Sequence, residues 1–482
     1  MHKGKYGLAV LAMLLIFASG CSGQKSDSGQ QAAGGAGQEM SNGGTNQGTA
    51  DGGASGGQQN AAAGGTDTSG GAGGTSEGAG GGADGSPGAG TSGNTGGSQN
   101  GDGAGATSPD TGSGLPAPSA NVLRQLQSMT LDEKLGEMIV AGMDGNTPTS
   151  RTKTMIQQQH VGGVIFYKNN VTDPKGLAAY VNQLKAWNRD NPSALFLSVD
   201  EEGGTVSRLP GLEKFPDAWD VGKTKDTGYA ADMGGFLGAA SSAMGMNVDY
   251  APVLDINSNP NNPVIGVRSF GATSDLVSQM GLPVMKGIQA QGVISVVKHF
   301  PGHGDTSVDS HLDLPVVNKS LKQLQQFEWV PFADAIREGA DAVMVAHILF
   351  PKIDPKYPAS LSKTIITDEL RGTLGFQGVV ITDDLTMGAI GKHFGIGEAA
   401  VQSVKAGADI MLVAHGYDDV VTVIDALKKS ISQGGISKKR IDESVTRILT
   451  LKEKYGLSDR KTVQTPNLTS LNAEIRKAIG AH

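Results

Sequence analysis

The pattern of apolar and polar residues divides the chain into an unpatterned front part and a regularly patterned body. From about residue 118, short apolar runs alternate with stretches in which apolar residues recur at helical spacing. The helical stretches include 177–187, 321–338 and 398–406. The apolar runs predict eight buried strands, at 138–142, 163–167, 195–199, 248–254, 293–297, 342–346, 379–382 and 410–413.

This alternation predicts an α/β fold, a single (β/α)8 TIM barrel. An open, doubly wound sheet is the alternative, but no Gly-x-Gly-x-x-Gly motif follows the first predicted strand. Thr130 to Glu133 form a capping box that predicts a helix start. A final amphipathic helix is expected at about 438–455, with Ser437 and Gly456 as its caps. We therefore place the catalytic domain at 118–458 and a C-terminal tail at 459–482.

Residues 22–117 have the composition of a flexible linker and not of a folded domain. They consist almost wholly of Gly, Ala, Ser, Thr, Asn, Gln and Asp, and they contain no aromatic residue. Such a segment cannot bury enough apolar surface to offset its loss of chain entropy, so we expect a disordered tether. The formal net charge of −8 gives no reason to expect a nucleic-acid partner.

Residues 1–21 have the pattern of a bacterial export signal. Lys3 and Lys5 precede a short apolar run, and small residues then lead to Cys21, the single cysteine of the chain. The segment resembles a lipoprotein signal, in which that cysteine becomes the lipid-bearing terminus. An ordinary secreted protein with a chance cysteine is the alternative. We expect an exported monomer that is lipid-anchored to the cell membrane through Cys21 and faces outside the cytoplasm.

Polar side chains follow the predicted strands at the end where barrel enzymes place their active sites. Adjacent carboxylates at such a position are costly unless they bind something. A structural ring of ion pairs among Asp200, Arg208, Arg268 and Lys298 is one interpretation, and it is compatible with binding of sugar hydroxyls. The polar residues are Asp200, Glu201, Glu202 and Arg208 after the third strand, Asp255 and Arg268 after the fourth, Lys298 and His299 after the fifth, His347 after the sixth, and Asp383 and Asp384 after the seventh.

The stretch 298–311 combines titratable side chains with a break in regular structure. Pro301, Gly302 and Gly304 predict a loop directly after the fifth strand. Asp309-x-His311 favours acid–base catalysis, because a carboxylate can orient and charge an imidazole. Two other interpretations stay open: a solvated turn without chemistry, and a metal site. The candidate metal ligands are His299, His303, Asp305 and His311, whose spacing matches no helical ligand pair.

Four motifs together resemble glycoside hydrolase family 3. They are Asp-Glu-Glu-Gly-Gly from residue 200, Asn-Pro-Val-Ile-Gly-Val-Arg-Ser-Phe-Gly from 262, Lys-His-Phe-Pro-Gly-His-Gly-Asp-Thr from 298, and Ile-Thr-Asp-Asp-Leu-x-Met from 381. The resemblance covers about residues 118–457 and is narrower to the β-N-acetylhexosaminidase branch, which trims GlcNAc in peptidoglycan turnover. The chain departs from the family pattern at Thr205, where arginine is usual, and at Glu201, where glutamine is more frequent.

The resemblance implies a role for individual positions of this chain. The nucleophile falls on Asp383, and the general acid/base falls on His311, paired with Asp309. No cofactor or metal is implied. A histidine suits proton transfer because its ordinary pKa is near 6.5 and a neighbouring carboxylate favours its protonated form. The substrate-binding positions are Asp200, Arg208, Arg268, Lys298 and His299.

These implications predict a retaining β-N-acetylglucosaminidase that acts on an oligosaccharide or muropeptide. A glycoside phosphorylase on the same scaffold, releasing GlcNAc-1-phosphate, is an alternative because a histidine tolerates anionic phosphate better than a glutamate. A non-catalytic, tethered sugar-binding lipoprotein is a second alternative, against which Asp383 and the Asp309–His311 pair argue. The sequence leaves open whether muropeptides, chitin fragments or glycoconjugates are the natural substrates.

Overall fold

The computed structural model describes residues 115–482, in which eight parallel strands form a closed barrel. Each strand pairs with its neighbour in sequence, and β1 also pairs with β8, which closes the sheet. The predicted (β/α)8 barrel is confirmed. The strands are β1 Ile139–Gly142, β2 Gly163–Phe166, β3 Phe196–Val199, β4 Val248–Asp249, β5 Ile294–Phe300, β6 Ala342–Val345, β7 Val379–Asp384 and β8 Ile410–Val413.

Two strands differ in length from their sequence prediction. β4 ends at Asp249 and not at Leu254, because Pro252 has no N–H group to donate to a ladder. β5 continues through Phe300, which pairs with Val345 of β6, so that Lys298 and His299 lie within the strand. These two predicted substrate-binding residues are thus held by a sheet and not by a loop.

Helices surround the barrel in the predicted alternation. They are α1 Ala120–Ser128, α2 Leu131–Glu137, α3 Ser150–Gln157, α4 Pro174–Asn188, α5 Ala218–Thr224, α6 Thr227–Ala243, α7 Ser274–Ala290, α8 Leu321–Gln326, α9 Val330–Arg337, α10 Gly388–Gly391, α11 Ile396–Ala406, α12 Tyr417–Ser432, α13 Lys438–Lys454 and α14 Thr469–Ile479. A π-helix, Thr364–Thr373, precedes β7, and short 3-10 helices lie at Lys168–Asn170, Gly266–Arg268 and Ala359–Leu361.

The predicted helix caps are present, and one predicted helix is divided. Thr130 Oγ1 accepts the Glu133 N–H at 3.3 Å, and the Glu133 carboxylate accepts the Thr130 N–H at 2.7 Å. Ser437 caps α13 by accepting the N–H of Arg440 at 3.1 Å. The stretch 321–338, predicted as one helix, forms α8 and α9, because Pro331 lacks a donor and starts a new helix.

Apolar side chains fill the inside of the barrel. Phe196, Val248, Ile294 and Ile381 point inward, and Leu451 of α13 closes the amino-terminal end. Only about 10 Å³ remains free between them. The interior of the described barrel is therefore a packed core with no room for a substrate, and the expected place for a site is above the carboxyl-terminal strand ends.

The predicted signal peptide, Cys21 and nearly all of the predicted linker 22–117 lie outside the described residues. Within residues 115–482, no helix combines the length and the apolar character that a membrane span requires. The predicted tail 459–482 contains a helix, α14, which packs against α6 and buries Ile475 completely.

Candidate active site

A cleft of about 410 Å³ opens at the carboxyl-terminal ends of the strands. Seven of the eight residues predicted to catalyse or to bind sugar line it, and the eighth, Asp309, is hydrogen-bonded to one of the seven. The barrel thus brings together residues that are far apart in sequence. The seven are Asp200, Arg208, Arg268, Lys298, His299, His311 and Asp383.

One wall of the cleft carries a continuous chain of ion pairs. Lys298 Nζ, on a side chain only 1% exposed, lies 2.6 Å from Asp200 Oδ1 and 2.6 Å from Glu202 Oε1. Arg268 binds Glu202 through two hydrogen bonds, Nε to Oε2 at 2.8 Å and Nη2 to Oε1 at 2.7 Å. Asp200 Oδ2 makes no hydrogen bond to another described residue, so it can accept one from a sugar hydroxyl.

Within this chain of ion pairs, each charged group stabilises the charged form of its partner. Burial would raise the pKa of Glu202, but Arg268 and Lys298 outweigh it and hold that pKa below its ordinary value. Burial would lower the pKa of Lys298, but Asp200 and Glu202 raise it above its ordinary value. Glu202 and Lys298 therefore stay charged at neutral pH, and the ion pairs hold this wall of the cleft in a fixed arrangement for a polar ligand.

The predicted ring of ion pairs differs in one member from the chain of ion pairs that the structure shows. Glu202, to which the sequence assigned no role, bridges Lys298 and Arg268, and Arg208 takes no part. Glu201, a fully buried carboxylate, binds the main chain nearby: its Oε2 accepts the N–H groups of Arg208 at 2.8 Å and Leu209 at 2.9 Å. The guanidinium of Arg208 lines the cleft and makes no hydrogen bond or ion pair within residues 115–482.

His299 is held by a buried carboxylate behind the cleft. Asp255 Oδ2 lies 2.6 Å from His299 Nδ1, and Asp255 Oδ1 accepts the backbone N–H of His303 at 2.6 Å. Burial would raise the pKa of Asp255, but the two histidines hold it below its ordinary value. Burial lowers the pKa of His303 to about 4, so its ring is neutral at pH 7. Asp255 thus ties the end of β5 and the start of its loop to one anchor.

Replacing Asp255 with asparagine should lower both stability and substrate affinity. Leaving buried N–H donors without their acceptor costs about 1–3 kcal/mol in unfolding free energy for each group. Because the folded-state pKa of Asp255 is lowered, its contribution is full above about pH 3.9 and falls as the pH drops further. Denaturant unfolding at several pH values measures the stability, and KM in steady-state kinetics reports the substrate affinity.

Asp341→Asn is the matched control for this prediction. Asp341 is equally buried and binds Lys454 and Tyr455, but it does not line the cleft. It should lower stability without changing KM. An Asp255→Asn protein with wild-type stability at pH 7 would contradict the anchor role.

His311 lies on the loop after β5, on the outer side of the cleft. Asp309 Oδ1 is 2.8 Å from His311 Nδ1 and also accepts the His311 backbone N–H at 2.9 Å, which leaves Nε2 available. The imidazole is 64% exposed. The loop rests on α10, where the N–H of Gly388 donates to the His311 carbonyl at 3.2 Å. A Cβ atom on Gly388 would lie 2.6 Å from that carbonyl oxygen, so a side chain there would displace the loop.

The metal-site alternative receives no support from the placement of its four candidate ligands. His299 binds Asp255 and His311 binds Asp309, as described above. His303 contacts the hydroxyls of Thr306 at 2.8 Å and Ser310 at 3.0 Å, and Asp305 pairs with Lys319 at 2.9 Å. In the part of the chain that the structure describes, no three His, Cys, Asp or Glu side chains are arranged to hold a metal ion.

Asp383 and Asp384 have different environments. The Asp384 carboxylate accepts hydrogen bonds from the N–H of Ala414 at 2.9 Å and from the N–H and hydroxyl of Thr386 at 3.0 and 2.6 Å. Asp383 Oδ1 accepts only the N–H of Asp384, at 2.9 Å, and Asp383 lines the cleft. Burial would raise the pKa of Asp383, but His347, His299 and the Asp384 N–H hold it below its ordinary value. Asp383 is therefore an ionised carboxylate with a free oxygen, Oδ2, whereas Asp384 is occupied in joining two loops.

Sequence reasoning missed two aromatic side chains in the cleft. Tyr167 and His415 stack with their ring centroids 5.4 Å apart, and His415 Nε2 lies 3.8 Å from Asp384 Oδ2. Tyr167 follows the end of β2, and His415 follows the end of β8. This position after a strand was the only signal in the sequence that pointed to the cleft. Neither residue belongs to a charged or glycine-rich motif, so the strand-end pattern alone did not single them out.

A closed parallel barrel with a free carboxylate, a His–Asp pair and a wall of fixed charges at its carboxyl-terminal end defines a glycosidase-type barrel enzyme. The chain belongs to glycosyl hydrolase family 3, since residues 130–451 match the model described as "Glycosyl hydrolase family 3 N terminal domain".

Similar proteins and structures agree with this family. The chain is 32% identical over 355 residues to the Beta-hexosaminidase A of Pseudoalteromonas piscicida, a match that covers 67% of this chain and 59% of that protein. A solved family 3 β-N-acetylglucosaminidase from Paenibacillus sp. str. FPU-7 is 41% identical, with a TM-score of 0.68 and coverage of 73% of this chain and 69% of that one. A β-glucoside phosphorylase, BglX bound to 2FGlc, is 26% identical, with a TM-score of 0.66 and coverage of 74% and 65%.

Proposed function

We propose that this chain is a retaining β-N-acetylglucosaminidase that removes terminal, non-reducing β-linked GlcNAc. The family and the names of the relatives at 32% and 41% identity support this proposal. The observation that carries it is the Asp383 carboxylate, which lines the cleft with one oxygen held and the other without a hydrogen bond to a described residue. Such an oxygen can act as the nucleophile of a retaining glycosidase.

In the proposed first step, Asp383 Oδ2 attacks the anomeric carbon and forms an ester bond to the sugar. The glycosidic C–O bond breaks, and its electron pair goes to the leaving oxygen. His311 Nε2 donates a proton to that oxygen, and Asp309, 2.8 Å from Nδ1, orients the imidazole for the transfer. This step requires no cofactor.

In the proposed second step, His311 acts as the base. Its Nε2 takes a proton from water while the water oxygen attacks the anomeric carbon, and the ester bond to Asp383 breaks. Two displacements at the same carbon give net retention of configuration. The wall formed by Asp200, Glu202, Arg268 and Lys298 would bind the sugar hydroxyls in both steps, together with Arg208 and His299.

Initial rates on p-nitrophenyl β-GlcNAc and p-nitrophenyl β-glucoside test the specificity. We expect kcat/KM to favour the GlcNAc substrate clearly. A preference for the glucoside would contradict the proposed specificity. Absence of turnover together with intact GlcNAc binding would instead support the non-catalytic sugar-binding alternative.

The phosphorylase alternative has one specific observation in its favour, the likeness to a structure named a β-glucoside phosphorylase. A neutral or cationic imidazole at the acid position also repels phosphate less than a carboxylate would. The same assay with and without inorganic phosphate separates the two reactions. Free GlcNAc as the product under both conditions supports hydrolysis, whereas phosphate-dependent GlcNAc-1-phosphate shows phosphorolysis.

We infer that the natural substrates are peptidoglycan fragments, because the sequence predicts export and anchoring at the cell envelope. Release of GlcNAc from purified muropeptides and from chitin oligosaccharides, compared by kcat/KM, tests this choice. A strong preference for the chitin oligosaccharides would overturn it.

The predicted anchor gives a separate prediction for Cys21. If Cys21 carries the lipid, then Cys21→Ser should move the protein from the membrane fraction to the soluble fraction without changing kcat/KM on a soluble substrate. Fractionation followed by immunoblotting measures the shift, and mass spectrometry of the mature N-terminus is the control. A wild-type protein that is already soluble and cleaved elsewhere would show that the prediction is wrong.

A further inference from the structure

The C-terminal segment, defined here as residues 459–482, lies outside the 130–451 region that matches the family model. It nevertheless reaches the loop after β3, which carries Asp200, Glu202 and Arg208. Within this loop, residues 211–213 are its contact point with the segment. No role in the proposed chemistry has been assigned to the segment so far.

Asn472 of α14 binds the loop through both ends of its side-chain amide. Its Nδ2 donates to the Gly211 carbonyl at 2.9 Å, and its Oδ1 accepts the Glu213 N–H at 2.8 Å. Arg476, one turn further along α14, forms an ion pair with Glu213 at 2.6 Å. The side chain of Asn472 thus gives a hydrogen-bonding partner to two backbone groups of the loop, the Gly211 carbonyl and the Glu213 N–H.

The tip of the loop also packs closely against the segment. Gly211 has a φ of +76°, and a Cβ atom there would lie 3.4 Å from Leu468 Cδ1. A glycine at this position suits the left-handed backbone. The tip of the loop and Leu468 therefore lie in van der Waals contact.

The segment itself is anchored to the helical layer. Ile475 is fully buried, and the His482 ring lies 4.1 Å from the Tyr229 ring of α6. Before α14, the backbone N–H and carbonyl of Val463 pair with the Asn182 side chain at 2.7 and 2.8 Å. A segment fixed at these points can hold the loop in a defined position.

The loop is thus held at Arg208 itself and again a few residues after it. Buried Glu201 binds the N–H groups of Arg208 and Leu209, and Asn472 binds the chain three and five residues after Arg208. Arg208 lines the cleft, and its guanidinium makes no hydrogen bond or ion pair to another described residue. Its position therefore depends on where the main chain of the loop is held.

We propose that the C-terminal segment is a brace for the active site, in which Asn472 is a positioning residue that places Arg208 for binding of the sugar. Asn472 itself does not line the cleft and acts through the loop. The role of Arg208 in this proposal rests on the proposed glycosidase function, whereas the bracing of the loop does not.

Asn472→Ala tests the brace. We expect KM for p-nitrophenyl β-GlcNAc to rise about three- to tenfold, the order expected for loss of one or two hydrogen bonds, with a smaller change in kcat. Lys477→Ala is the matched control, because Lys477 is exposed on the same helix and its side chain makes no hydrogen bond or ion pair within residues 115–482. It should leave KM unchanged.

A double-mutant cycle with Arg208→Ala shows whether Asn472 acts through Arg208. In the Arg208→Ala background, Asn472→Ala should raise KM no further, because the positioned group is already absent. An equal, additive increase in both backgrounds would overturn the proposal. If the alanine variant folds poorly, Asn472→Asp replaces it in the test. This variant retains the acceptor for the Glu213 N–H but loses the donor to Gly211, so its KM should lie between those of the wild type and the alanine variant.

Amide hydrogen exchange tests the brace without any substrate. In Asn472→Ala, the amides of residues 208–213 should exchange faster than in the wild type, while those of β3 and α6 should not change. Unchanged exchange in 208–213 would overturn the brace even if KM rises. If the wild type turns over no glycoside, the proposed function fails, but the exchange result still decides the brace.

Discussion

Asp383→Asn is expected to abolish nearly all turnover of p-nitrophenyl β-GlcNAc, with kcat lower by at least about 10⁴-fold, the order seen when a hydrolase loses its nucleophile. The amide that replaces the carboxylate cannot form the glycosyl ester. Because Asp383 accepts one hydrogen bond where Asp384 accepts three, the change should lower stability less than Asp384→Asn does. Steady-state kinetics and thermal unfolding measure the two effects.

Asp384→Asn is the matched control, since it changes the adjacent residue in the same way. Its carboxylate joins Thr386 and Ala414, so this variant should unfold at a lower temperature and lose activity only in part. The ordering of the two effects therefore distinguishes a chemical role from a structural one.

Covalent labelling decides the identity of the nucleophile directly. A 5-fluoro GlcNAc inactivator followed by peptide mapping should place the sugar on Asp383. The acetamido group of the substrate could instead attack the anomeric carbon, a route that needs no enzyme nucleophile. Label on Asp384, inversion at the anomeric carbon, or full activity of Asp383→Asn would each refute the proposed role.

His311→Ala is expected to have the second largest effect, a loss of about 10²–10⁴-fold in kcat/KM, the typical contribution of general acid–base catalysis. The loss should be greatest for substrates with poor leaving groups, whose oxygen needs a proton. It should be smaller for activated phenols in the first step. A series of aryl β-GlcNAc substrates with different phenol pKa values measures this dependence.

Asp309→Asn provides the companion variant for His311. It removes the carboxylate 2.8 Å from His311 Nδ1 while leaving the imidazole in place, so it should reduce the rate less than His311→Ala does. A loss that is uniform across all leaving groups would indicate a binding role for His311. Restoration of the His311→Ala variant by added zinc would indicate a metal role.

The fold and the location of the site were predictable because they depend on short-range patterns. Apolar runs at regular intervals predicted all eight strands, and the polar residues after those runs indicated the working end of the barrel. The places where the pattern failed are also local in origin. Pro252 shortens β4 and Pro331 divides a predicted helix, since proline lacks the N–H that each element requires.

The partners of individual side chains were not predictable, because long-range packing and burial select them. The sequence by itself indicated that Asp200, Arg208, Arg268 and Lys298 would meet, but only the packed loops determined that Glu202 completes the chain of ion pairs. Likewise, four possible metal ligands within 13 residues were separated by the contacts that each makes elsewhere.

The sequence alone therefore determined the barrel, the end at which it carries polar residues, and the family resemblance. The tertiary structure decided that Asp384 is occupied by hydrogen bonds while Asp383 keeps a free oxygen, and that α14 contacts the loop of Arg208. The physical reason is the range of the interactions. Periodicity and turn chemistry act between near neighbours in the chain, whereas Asn472 and Gly211 meet across 261 residues, a contact that no local pattern encodes.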